Sequence, residues 1–333
     1  MSNLMKYGII FFVRLSTKTT NKIGVYMKKT KWNIDNIKDL SNKIIIVTGA
    51  NTGLGFEATK IFAKKNASVI MACRSLEKAN TAKKEILKEH EGSKLIPMEL
   101  DLSSLQSITS FVNEFKKQFN AIDVLLNNAG IMTVPYSKTK DGFELQNGVN
   151  HLGHFALTAQ LFDIIKNTPN SRIVNVSSLA HRQGKMDFNN YLFQNGNYAK
   201  MKSYAKSKLS NLLFTYELDR RIKEKGLSVK VLAAHPGVSS TELGRHINSK
   251  GSSNPILKFA IKFGQPANLG CLSEVRASLD DSANSGEYYG PSGLTQMKGL
   301  PIKVKSSRTS HNENDAKQLW TLSEKLTEQP FNI

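Results

Sequence analysis

Residues 44–55 read IIIVTGANTGLG, and this stretch decides the fold. Its first four residues are a continuous β-branched run, which is typical of a strand buried on both faces of a parallel sheet. Gly49, Gly53 and Gly55 follow in a GxxxGxG spacing, and apolar residues then recur at helical intervals as far as Phe62. The stretch therefore predicts a strand, a glycine-rich turn and a helix, in that order.

The same alternation of short apolar runs and helix-length amphipathic segments continues along the chain. Strands separated by helices in this way form parallel sheets that are covered on both faces. We expect an α/β fold: a single-domain, Rossmann-type, doubly wound parallel sheet flanked by helices. The predicted strands cover residues 43–50, 67–73, 94–101, 122–130, 172–178 and 227–237.

The domain is expected to span residues 42–325, between a basic leader at 1–41 and a C-terminal tail at 326–333. No repeat and no Pro/Gly-rich linker divides it. The stretch 239–270, which contains Gly251, Ser252, Ser253 and Pro255, is either a mobile segment or a plain surface loop.

Composition excludes several protein classes. The 333 residues are 40% hydrophobic, enough for a packed core, while a mean hydropathy of −0.33 argues against an integral membrane bundle. Two cysteines, Cys73 and Cys271, cannot form a disulfide framework, and neither lies in a Cys/His cluster, so we expect no metal site. The formal net charge is +19, but no basic run is interleaved with aromatic residues. We therefore expect a lysine-rich surface and no nucleic-acid partner.

The leader is basic and has no acidic residue before Asp35. Its apolar run YGIIFFV, at 7–13, is far shorter than the roughly 20 residues that a membrane-spanning helix needs. A mitochondrial transit peptide, an anchor on a membrane surface and a disordered leader all fit this pattern. So does an upstream extension that translation bypasses by starting at Met27. Cytoplasmic, mitochondrial and membrane-surface locations therefore stay open.

The glycine-rich turn predicts a dinucleotide site. A glycine turn at a helix N-terminus lets the backbone approach a pyrophosphate and offers it unpaired N–H groups. The residues expected to contact the cofactor here are Gly49, Asn51, Thr52, Gly53, Leu54 and Gly55.

The end of the second predicted strand indicates which dinucleotide binds. An acidic residue there would bind the ribose hydroxyls of NAD, whereas an arginine accommodates the 2′-phosphate of NADP. The chain has Cys73-Arg74-Ser75 and no acidic residue at this point, which favours NADP(H) over NAD(H). The alternative is that Arg74 is a solvated residue at the start of a helix.

Residues 202–211, KSYAKSKLSN, place Tyr204 and Lys208 one helical turn apart on one face. An ordinary amphipathic helix would also produce this pattern. A tyrosine with a pKa near 10 is a poor base at neutral pH, and a neighbouring cation is expected to lower that pKa. The pair therefore indicates a group that transfers protons.

The chain contains six motifs in this order: TGANTGLG, NNAG at 127–130, Asn150 within GVNHLGHF, VNVSS, YAKSK and HPG at 235–237. In order and approximate spacing they resemble the short-chain dehydrogenase/reductase family over residues 42–325. RIVNVSSLAH, the ACR after the second strand and the late segment MKGLPIKVKSS…LWTLSEKLT are similar to the retinol-dehydrogenase-like branch, which includes the WW-domain oxidoreductases.

The resemblance implies a catalytic set of four residues. Tyr204 would be the general acid in carbonyl reduction and the base in alcohol oxidation. Both Tyr204 and Lys208 would also contact the cofactor, with Lys208 holding the nicotinamide ribose. Ser178 would hydrogen-bond the substrate oxygen, with adjacent Ser177 as a rival for that role. Asn150 would hold a water that links Lys208 to solvent.

The resemblance also implies further cofactor contacts, each with a structural alternative. The alternative for the NNAG residues is a purely structural role in pinning the fourth strand, and the alternative for Asp101 is a helix cap. Pro236 and Gly237 would shape the wall beside the nicotinamide. The implied contacts are Asn127, Ala129, Gly130, Asp101, Leu102, Pro236, Gly237, Val238 and Thr241. His151, His154 and His181 are expected to be packing or surface groups.

One feature departs from many family members, in which about a dozen residues separate the serine and the tyrosine. Here Ser178 and Tyr204 are much further apart, and the added stretch is rich in aromatic residues that could line a pocket: Phe188, Tyr191, Phe193 and Tyr198. Tyr191 and Tyr198 are rival candidates for the general acid, but neither has a lysine four residues later.

The sequence therefore predicts an NADP(H)-dependent oxidoreductase that interconverts a hydrophobic aldehyde or ketone, retinoid-like or otherwise lipophilic, and its alcohol. The alternatives are a non-catalytic dinucleotide sensor or interaction protein on the same fold and a membrane-attached scaffold. Oligomeric state stays open, with a homo-oligomer among the options.

Overall fold

A computed structural model describes residues 32–239 and 264–333 of the chain. The predictions for the leader before residue 32, for Thr241 and for most of 239–270 lie outside the described residues. Eight strands form one sheet: β1 Ile44–Thr48, β2 Ser68–Cys73, β3 Leu95–Glu99, β4 Val124–Asn127, β5 Arg172–Val176, β6 Lys230–Ala234, β7 Tyr288–Pro291 and β8 Pro301–Lys303.

The strand order confirms the doubly wound, Rossmann-type sheet. It is β3-β2-β1-β4-β5-β6-β7-β8, and the first seven strands are parallel. The chain moves outward from β1 to β3 and then crosses back to β4, so the winding reverses between β1 and β4. In open α/β sheets, ligands bind outside the carboxyl ends of the strands at such a reversal.

Helices cover both faces of the sheet. The helices are α1 Gly53–Lys64, α2 Leu76–Glu89, α3 Leu105–Gln118, α4 Leu145–Asn147, α5 Gly153–Asn167, α6 Lys200–Glu224, α7 Ala267–Gly270, α8 Leu272–Leu279 and α9 Glu313–Thr327. Contacts of α1 with α2 and α8 form one layer, and contacts of α3 with α5 and of α6 with α9 form the other. None of the helices in the described part is long and apolar enough to cross a membrane.

The largest part of the core lies between the sheet and the α3–α5–α6–α9 layer, and the C-terminus belongs to it. Phe331 is buried and its ring lies 4.8 Å from that of Trp320, 5.1 Å from Phe162 and 5.6 Å from Phe155, centroid to centroid. Phe331 is thus part of the folded core, while the expected domain boundary at residue 325 stays a prediction.

The structure adds elements that the sequence pattern did not reveal. Strand β7 extends the parallel sheet, and β8 returns antiparallel to it. The helical segment after β4 is not regular, because α4 passes through a π turn at Gly148–Leu152 into α5.

Candidate active site

The site lies at the carboxyl ends of the central strands, where a single hydroxyl group joins two loops. Thr48, the last residue of β1, accepts hydrogen bonds at its Oγ1 from the N–H groups of Asn128 and Ala129, both at 2.9 Å. The Asn128 side chain in turn donates to the Thr48 carbonyl at 2.7 Å. The NNAG loop is therefore held against the glycine-rich turn, across the reversal between β1 and β4.

The glycine-rich turn has the backbone form that a dinucleotide site requires. Gly49 and Gly53 have φ of +70° and +60°, a region that other residues rarely adopt. A Cβ on Gly55 would lie 2.5 Å from the Gly49 carbonyl oxygen, so the first turn of α1 can approach β1 only with glycine there. The Thr52 side chain does not cap α1, so it leaves the first N–H groups of the helix free for an anion.

Arg74 lies just beyond β2, and its side chain is exposed. Among the described residues, no hydrogen bond or ion pair holds its guanidinium group. Ser75, not Arg74, caps α2 by accepting a hydrogen bond from the Lys78 N–H. Arg74 is therefore available to bind an anion at this corner of the sheet.

Asp101 has partners of its own at the end of β3. Its carboxylate accepts hydrogen bonds from the Ser103 N–H and hydroxyl, at 3.0 and 2.6 Å, and forms an ion pair with Lys140. The cap of α3 is Ser104, so the helix-cap alternative for Asp101 is wrong. Leu102, the other residue expected near the adenine, is buried, and its carbonyl faces Gly153 at the start of α5.

The fold brings Tyr204 and Lys208 together on α6. Both side chains are buried, and the Lys208 Nζ lies 5.9 Å from the centroid of the Tyr204 ring. Nζ donates a hydrogen bond to the Val176 carbonyl, at the end of β5, at 3.0 Å. An ammonium group has three hydrogens, so Lys208 keeps donors for a ligand.

The pKa values of this pair differ from the expectation for Tyr204. Burial raises the pKa of Tyr204, and a hydrogen bond with Ser178 only partly opposes that rise. Burial also lowers the pKa of Lys208, to about 8, because the ammonium is removed from water. The pKa of Tyr204 is therefore raised, because burial destabilises the phenolate, and the proton-transfer role of the pair stays a prediction.

The two adjacent serines after β5 have different positions. Ser177 is buried and its hydroxyl donates to the Lys208 carbonyl at 2.8 Å, which ties β5 to the main chain of α6. Ser178 is partly exposed and interacts with Tyr204 through its side chain. The rival serine is thus a structural link, and Ser178 is the one that can contact a substrate.

Asn150 lies in the π turn, a form of helix that is frequent at functional sites. Its side chain accepts from the Ile131 N–H at 2.8 Å and donates to the Ile131 carbonyl and to the Ser207 hydroxyl. A Cβ on Gly130 would lie 3.3 Å from both the Asn150 Oδ1 and the Lys208 Nζ, so these two groups adjoin the end of the NNAG loop. The water that Asn150 would hold to link Lys208 to solvent stays a prediction.

His154 is a positioning group that sequence reasoning assigned only to packing or surface. Burial lowers the pKa of its ring to about 4, so the ring is neutral. Since Thr48 already accepts two N–H groups, its hydroxyl hydrogen goes to His154 Nε2, 2.9 Å away, and the Nδ1–H then donates to the Asn150 carbonyl at 3.1 Å. The only sequence signal was its place in GVNHLGHF, four residues after Asn150.

Asn127 has the structural role that the sequence offered as an alternative. Its side-chain amide donates to Asn175 at 2.9 Å and to Thr158 at 3.1 Å, and it thereby pins β4 to β5 and α5. The neighbouring Ala129 lies against the glycine-rich turn, because a Cβ on Gly49 would be 3.2 Å from the Ala129 Cβ. Any contact of Asn127 itself with a cofactor stays a prediction.

The segment after β6 is held by hydrogen bonds and by close backbone packing. Gly237 has φ of +71°, and a Cβ there would lie 2.3 Å from the Met297 carbonyl. Val238 donates to that carbonyl, and the Gln265 side chain donates to the Pro236 carbonyl. Pro236, Gly237 and Val238 therefore form a fixed wall beside the sheet edge.

The aromatic residues of the insertion between Ser178 and Tyr204 pack against other described parts of the protein, and a pocket lined by them stays a prediction. Tyr191 and Phe193 are buried, and the Tyr191 hydroxyl pairs with Ser210 on α6. The Tyr198 hydroxyl donates to the Val134 carbonyl, and burial raises its pKa to about 12. Neither rival tyrosine is placed to transfer a proton.

Together these features fit a bound nicotinamide dinucleotide. The uncapped start of α1 suits a pyrophosphate, the free guanidinium of Arg74 suits an additional phosphate, and the spare donors of Lys208 suit a ribose. Cys73, by contrast, is a core residue, since burial raises the pKa of its thiol to about 11.

Comparison with known proteins agrees with this geometry. Residues 43–252 match the family model described as short chain dehydrogenase. The chain is 39% identical to human (Homo sapiens) retinol dehydrogenase 13 over 297 residues, which cover 86% of this chain and 85% of that protein. It is 42% identical to mouse (Mus musculus) retinol dehydrogenase 12 over 286 residues, covering 85% of this chain and 86% of the relative.

Solved structures show the same architecture. An uncharacterized protein from Mycobacterium paratuberculosis is 34% identical, with a TM-score of 0.76, and the match covers 91% of this chain and all of that one. A short chain dehydrogenase from Shigella flexneri, solved in complex with NADP, is 21% identical with a TM-score of 0.58 over 75% of this chain and 96% of that one. The chain belongs to the short-chain dehydrogenase/reductase family, as an oxidoreductase related to the retinol dehydrogenases.

Proposed function

We propose that the protein is an NADP(H)-dependent oxidoreductase that interconverts a lipophilic aldehyde or ketone and its alcohol. The observation that carries this proposal is the convergence of Tyr204, Lys208 and Ser178 beside the glycine-rich turn. These groups come from two segments far from that turn in sequence, and the fold brings them to one edge of the sheet.

The bound nicotinamide would supply or accept the hydride. In reduction the Tyr204 hydroxyl donates its proton to the substrate oxygen, and in oxidation the phenolate removes it. Ser178 hydrogen-bonds the same oxygen and stabilises the negative charge that develops there. The Lys208 ammonium lowers the energy of the phenolate whenever Tyr204 has lost its proton. Thr48, His154 and Asn150 keep the surrounding loops in register through their hydrogen bonds.

The preference for NADP(H) rests on Arg74. Its exposed guanidinium follows β2, where the adenosine ribose lies in dinucleotide folds. Arginine pairs with phosphate through parallel charge-assisted hydrogen bonds, so a 2′-phosphate is the group that suits it. No acidic side chain follows directly to bind a free 2′-hydroxyl instead.

A lipophilic substrate is supported by the relatives, several of which are named retinol dehydrogenases and are about 40% identical over most of the chain. At that identity the substrate class can differ among family members, because a fold hosts many specificities. A retinoid or another long-chain carbonyl compound is therefore the first class to test.

The competing function is a dinucleotide sensor that lacks turnover. A sensor would need the glycine-rich turn and Arg74 but not a buried tyrosine in contact with a serine and a lysine. The intact set of proton-transfer groups therefore favours the enzyme.

The test uses the full chain with NADPH or NADH and a panel of retinoid, aliphatic and aromatic aldehydes, followed by the loss of cofactor absorbance. We expect turnover with NADPH on at least one lipophilic aldehyde. Arg74→Ala should weaken NADPH binding about 10- to 100-fold, the loss expected for a charge-assisted hydrogen bond of about 1.5–3 kcal/mol, and leave NADH binding unchanged.

Lys84→Ala, at an exposed lysine on α2, is the matched control and should change neither affinity. NADPH binding without turnover on any panel member would favour the sensor. Equal use of NADPH and NADH, unaffected by Arg74→Ala, would contradict the cofactor assignment.

A further inference from the structure

Glu274 is a buried carboxyl group that the proposed reaction does not use. It lies on α8, and its side chain is fully buried. Neither of its carboxyl oxygens has a hydrogen-bond partner among the described residues. An unpaired carboxylate in a protein interior is costly unless it is protonated or has a counter-charge.

Lys208 is the buried cation that matches it. The Lys208 side chain is 4% exposed, and its ammonium donates to one protein acceptor, the Val176 carbonyl. Helices α6 and α8 belong to different layers, and both contact β5 and β6. Arg172, at the start of β5, donates to the carbonyls of Ala277 and Asp280 at the end of α8, so α8 runs back along β5. The first turn of α8, which carries Glu274, therefore lies toward the end of β5 where Lys208 binds Val176.

Lys208 and Glu274 each shift the pKa of the other. Burial raises the pKa of Glu274 to about 8, and the charge of Lys208 opposes the rise. Burial lowers the pKa of Lys208 to about 8, and the charge of Glu274 opposes the fall. Groups that interact in this way gain and lose protons as a pair.

Other titratable groups on the elements packed against α8 are neutral or engaged elsewhere. Burial keeps Tyr288 and His235 uncharged, because it raises the pKa of the phenol and lowers that of the imidazole. Glu57 on α1 acts on Cys271, whose pKa Glu274 also raises. The remaining groups have partners of their own: Arg172 with the carbonyls of Ala277 and Asp280, Lys230 with that of Ala283, Arg276 with Asp280, Lys303 and Tyr289 with Glu287, and Lys60 with Glu89.

Facing Lys208 itself are Tyr204 and His154. The His154 ring is neutral, and the charge of Lys208 contributes to keeping it so. Tyr204 is the proposed proton-transfer group, and the Lys208 ammonium stabilises its phenolate. Among the described residues, Glu274 is thus the acidic group that balances the positive charge of Lys208.

We propose that Glu274 is the buried counter-charge of Lys208, a positioning residue that keeps the lysine protonated and thereby sets the upper pH limit of the Tyr204 reaction. The proposal rests on the proposed role of Lys208 in catalysis. Because Glu274 is fully buried, its proposed effect is exerted through the charge of the lysine. Without this carboxylate, Lys208 loses its proton at lower pH and no longer supports the phenolate of Tyr204.

A double-mutant cycle tests the pair without any need for turnover. We would measure urea unfolding from pH 6 to pH 9 for the full-length protein, Glu274→Gln, Lys208→Met and the double variant. If Glu274→Gln does not fold, Glu274→Leu replaces it, because the leucine also lacks the charge and has a similar volume.

The two single variants should respond to pH with opposite signs. In Lys208→Met, Glu274 keeps a pKa above its unfolded-state value of about 4.3, so stability falls as pH rises, by up to about tenfold in the unfolding constant per pH unit. In Glu274→Gln, Lys208 keeps a pKa below its unfolded-state value of about 10.4, so stability rises with pH. The double variant should show neither trend. Free energies that add across the cycle at every pH would mean that the groups do not interact and would overturn the proposal.

The consequence for catalysis is tested by the pH profile of NADPH oxidation. Glu274→Gln should move the basic limb of the kcat profile down by about one pH unit, the effect expected for removal of a nearby opposite charge. Glu217→Gln is the matched control: Glu217 is a buried carboxylate on α6 that pairs with Arg220 and Arg221. It should change stability and leave the limb in place. An unmoved limb in Glu274→Gln would overturn the catalytic role, whereas a lack of turnover in the wild type would contradict the proposed function and leave the cycle result standing.

Discussion

At the scale of single residues, adjacent side chains at the end of β5 have opposite surroundings. Ser177 points into the protein and binds the main chain of α6, while Ser178 lies at the open edge beside Tyr204. The alternation of side chains along an extended segment explains the difference, since neighbouring residues face opposite sides. Only one of the two hydroxyls can therefore reach a substrate.

This difference predicts the outcome of two alanine variants. Ser178→Ala should lower kcat about 10²- to 10³-fold, the loss typical when one donor to a developing oxyanion is removed. Ser177→Ala should keep kcat within a few-fold and lower the free energy of unfolding by about 0.5–1.5 kcal/mol, because one buried hydrogen bond is lost. Steady-state kinetics and urea unfolding of both variants separate the two roles, and a larger kinetic loss in Ser177→Ala would reverse the assignment.

At the scale of elements, the insertion before α6 is fastened to the catalytic helix by Lys206. This lysine lies between Tyr204 and Lys208 in sequence, is 2% exposed and donates to the carbonyls of Asn190 and Tyr191. Its Nζ also lies 3.7 Å from the centroid of the Phe193 ring. Burial lowers the pKa of Lys206 to about 8, although these contacts compensate part of the lost hydration. The lysine thus holds the insertion next to the proton-transfer pair.

Lys206→Met should release the insertion while α6 stays folded. Hydrogen bonds from a charged donor contribute about 1.5–3 kcal/mol, so amides of residues 188–198 should exchange hydrogen more than tenfold faster. Hydrogen exchange read by mass spectrometry measures this directly. Lys225→Met, at an exposed position just beyond the other end of the same helix, is the control and should leave the exchange rates unchanged. Equal rates in Lys206→Met and the wild type would show that the lysine does not hold the insertion.

At the scale of the whole molecule, the sequence predicts most of the sheet because its strands are strongly patterned. The runs IIIVT and SVIMAC are β-branched or apolar throughout, so a buried parallel strand is the only economical interpretation. Strands β7 and β8 carry no such signal. They are only four and three residues long, and both contain proline, which normally disfavours a strand. Their pairing depends on the edge that β6 offers, which sequence alone does not reveal.

The residues of the candidate site could likewise be predicted from the sequence only in part. Tyr204 and Lys208 could be found because their spacing on one helix is local in sequence. The link from Thr48 through His154 to Asn150 joins residues about a hundred positions apart, and no local pattern encodes it. Glu274 and Lys206 are typical surface residue types, so only the three-dimensional packing reveals that they are buried.

The measurement that tests the central claim most directly compares Tyr204→Phe with Tyr198→Phe. Both variants remove one phenolic hydroxyl, and Tyr198 is the insertion tyrosine whose hydroxyl binds a main-chain carbonyl. We would measure NADPH affinity by fluorescence and turnover of the aldehyde that the wild type reduces. We expect Tyr204→Phe to lose about 10²- to 10⁴-fold in kcat with NADPH affinity unchanged, as is typical when a general acid is removed, while Tyr198→Phe keeps its turnover. Turnover by Tyr204→Phe within a few-fold of the wild type would show that Tyr204 is not the general acid.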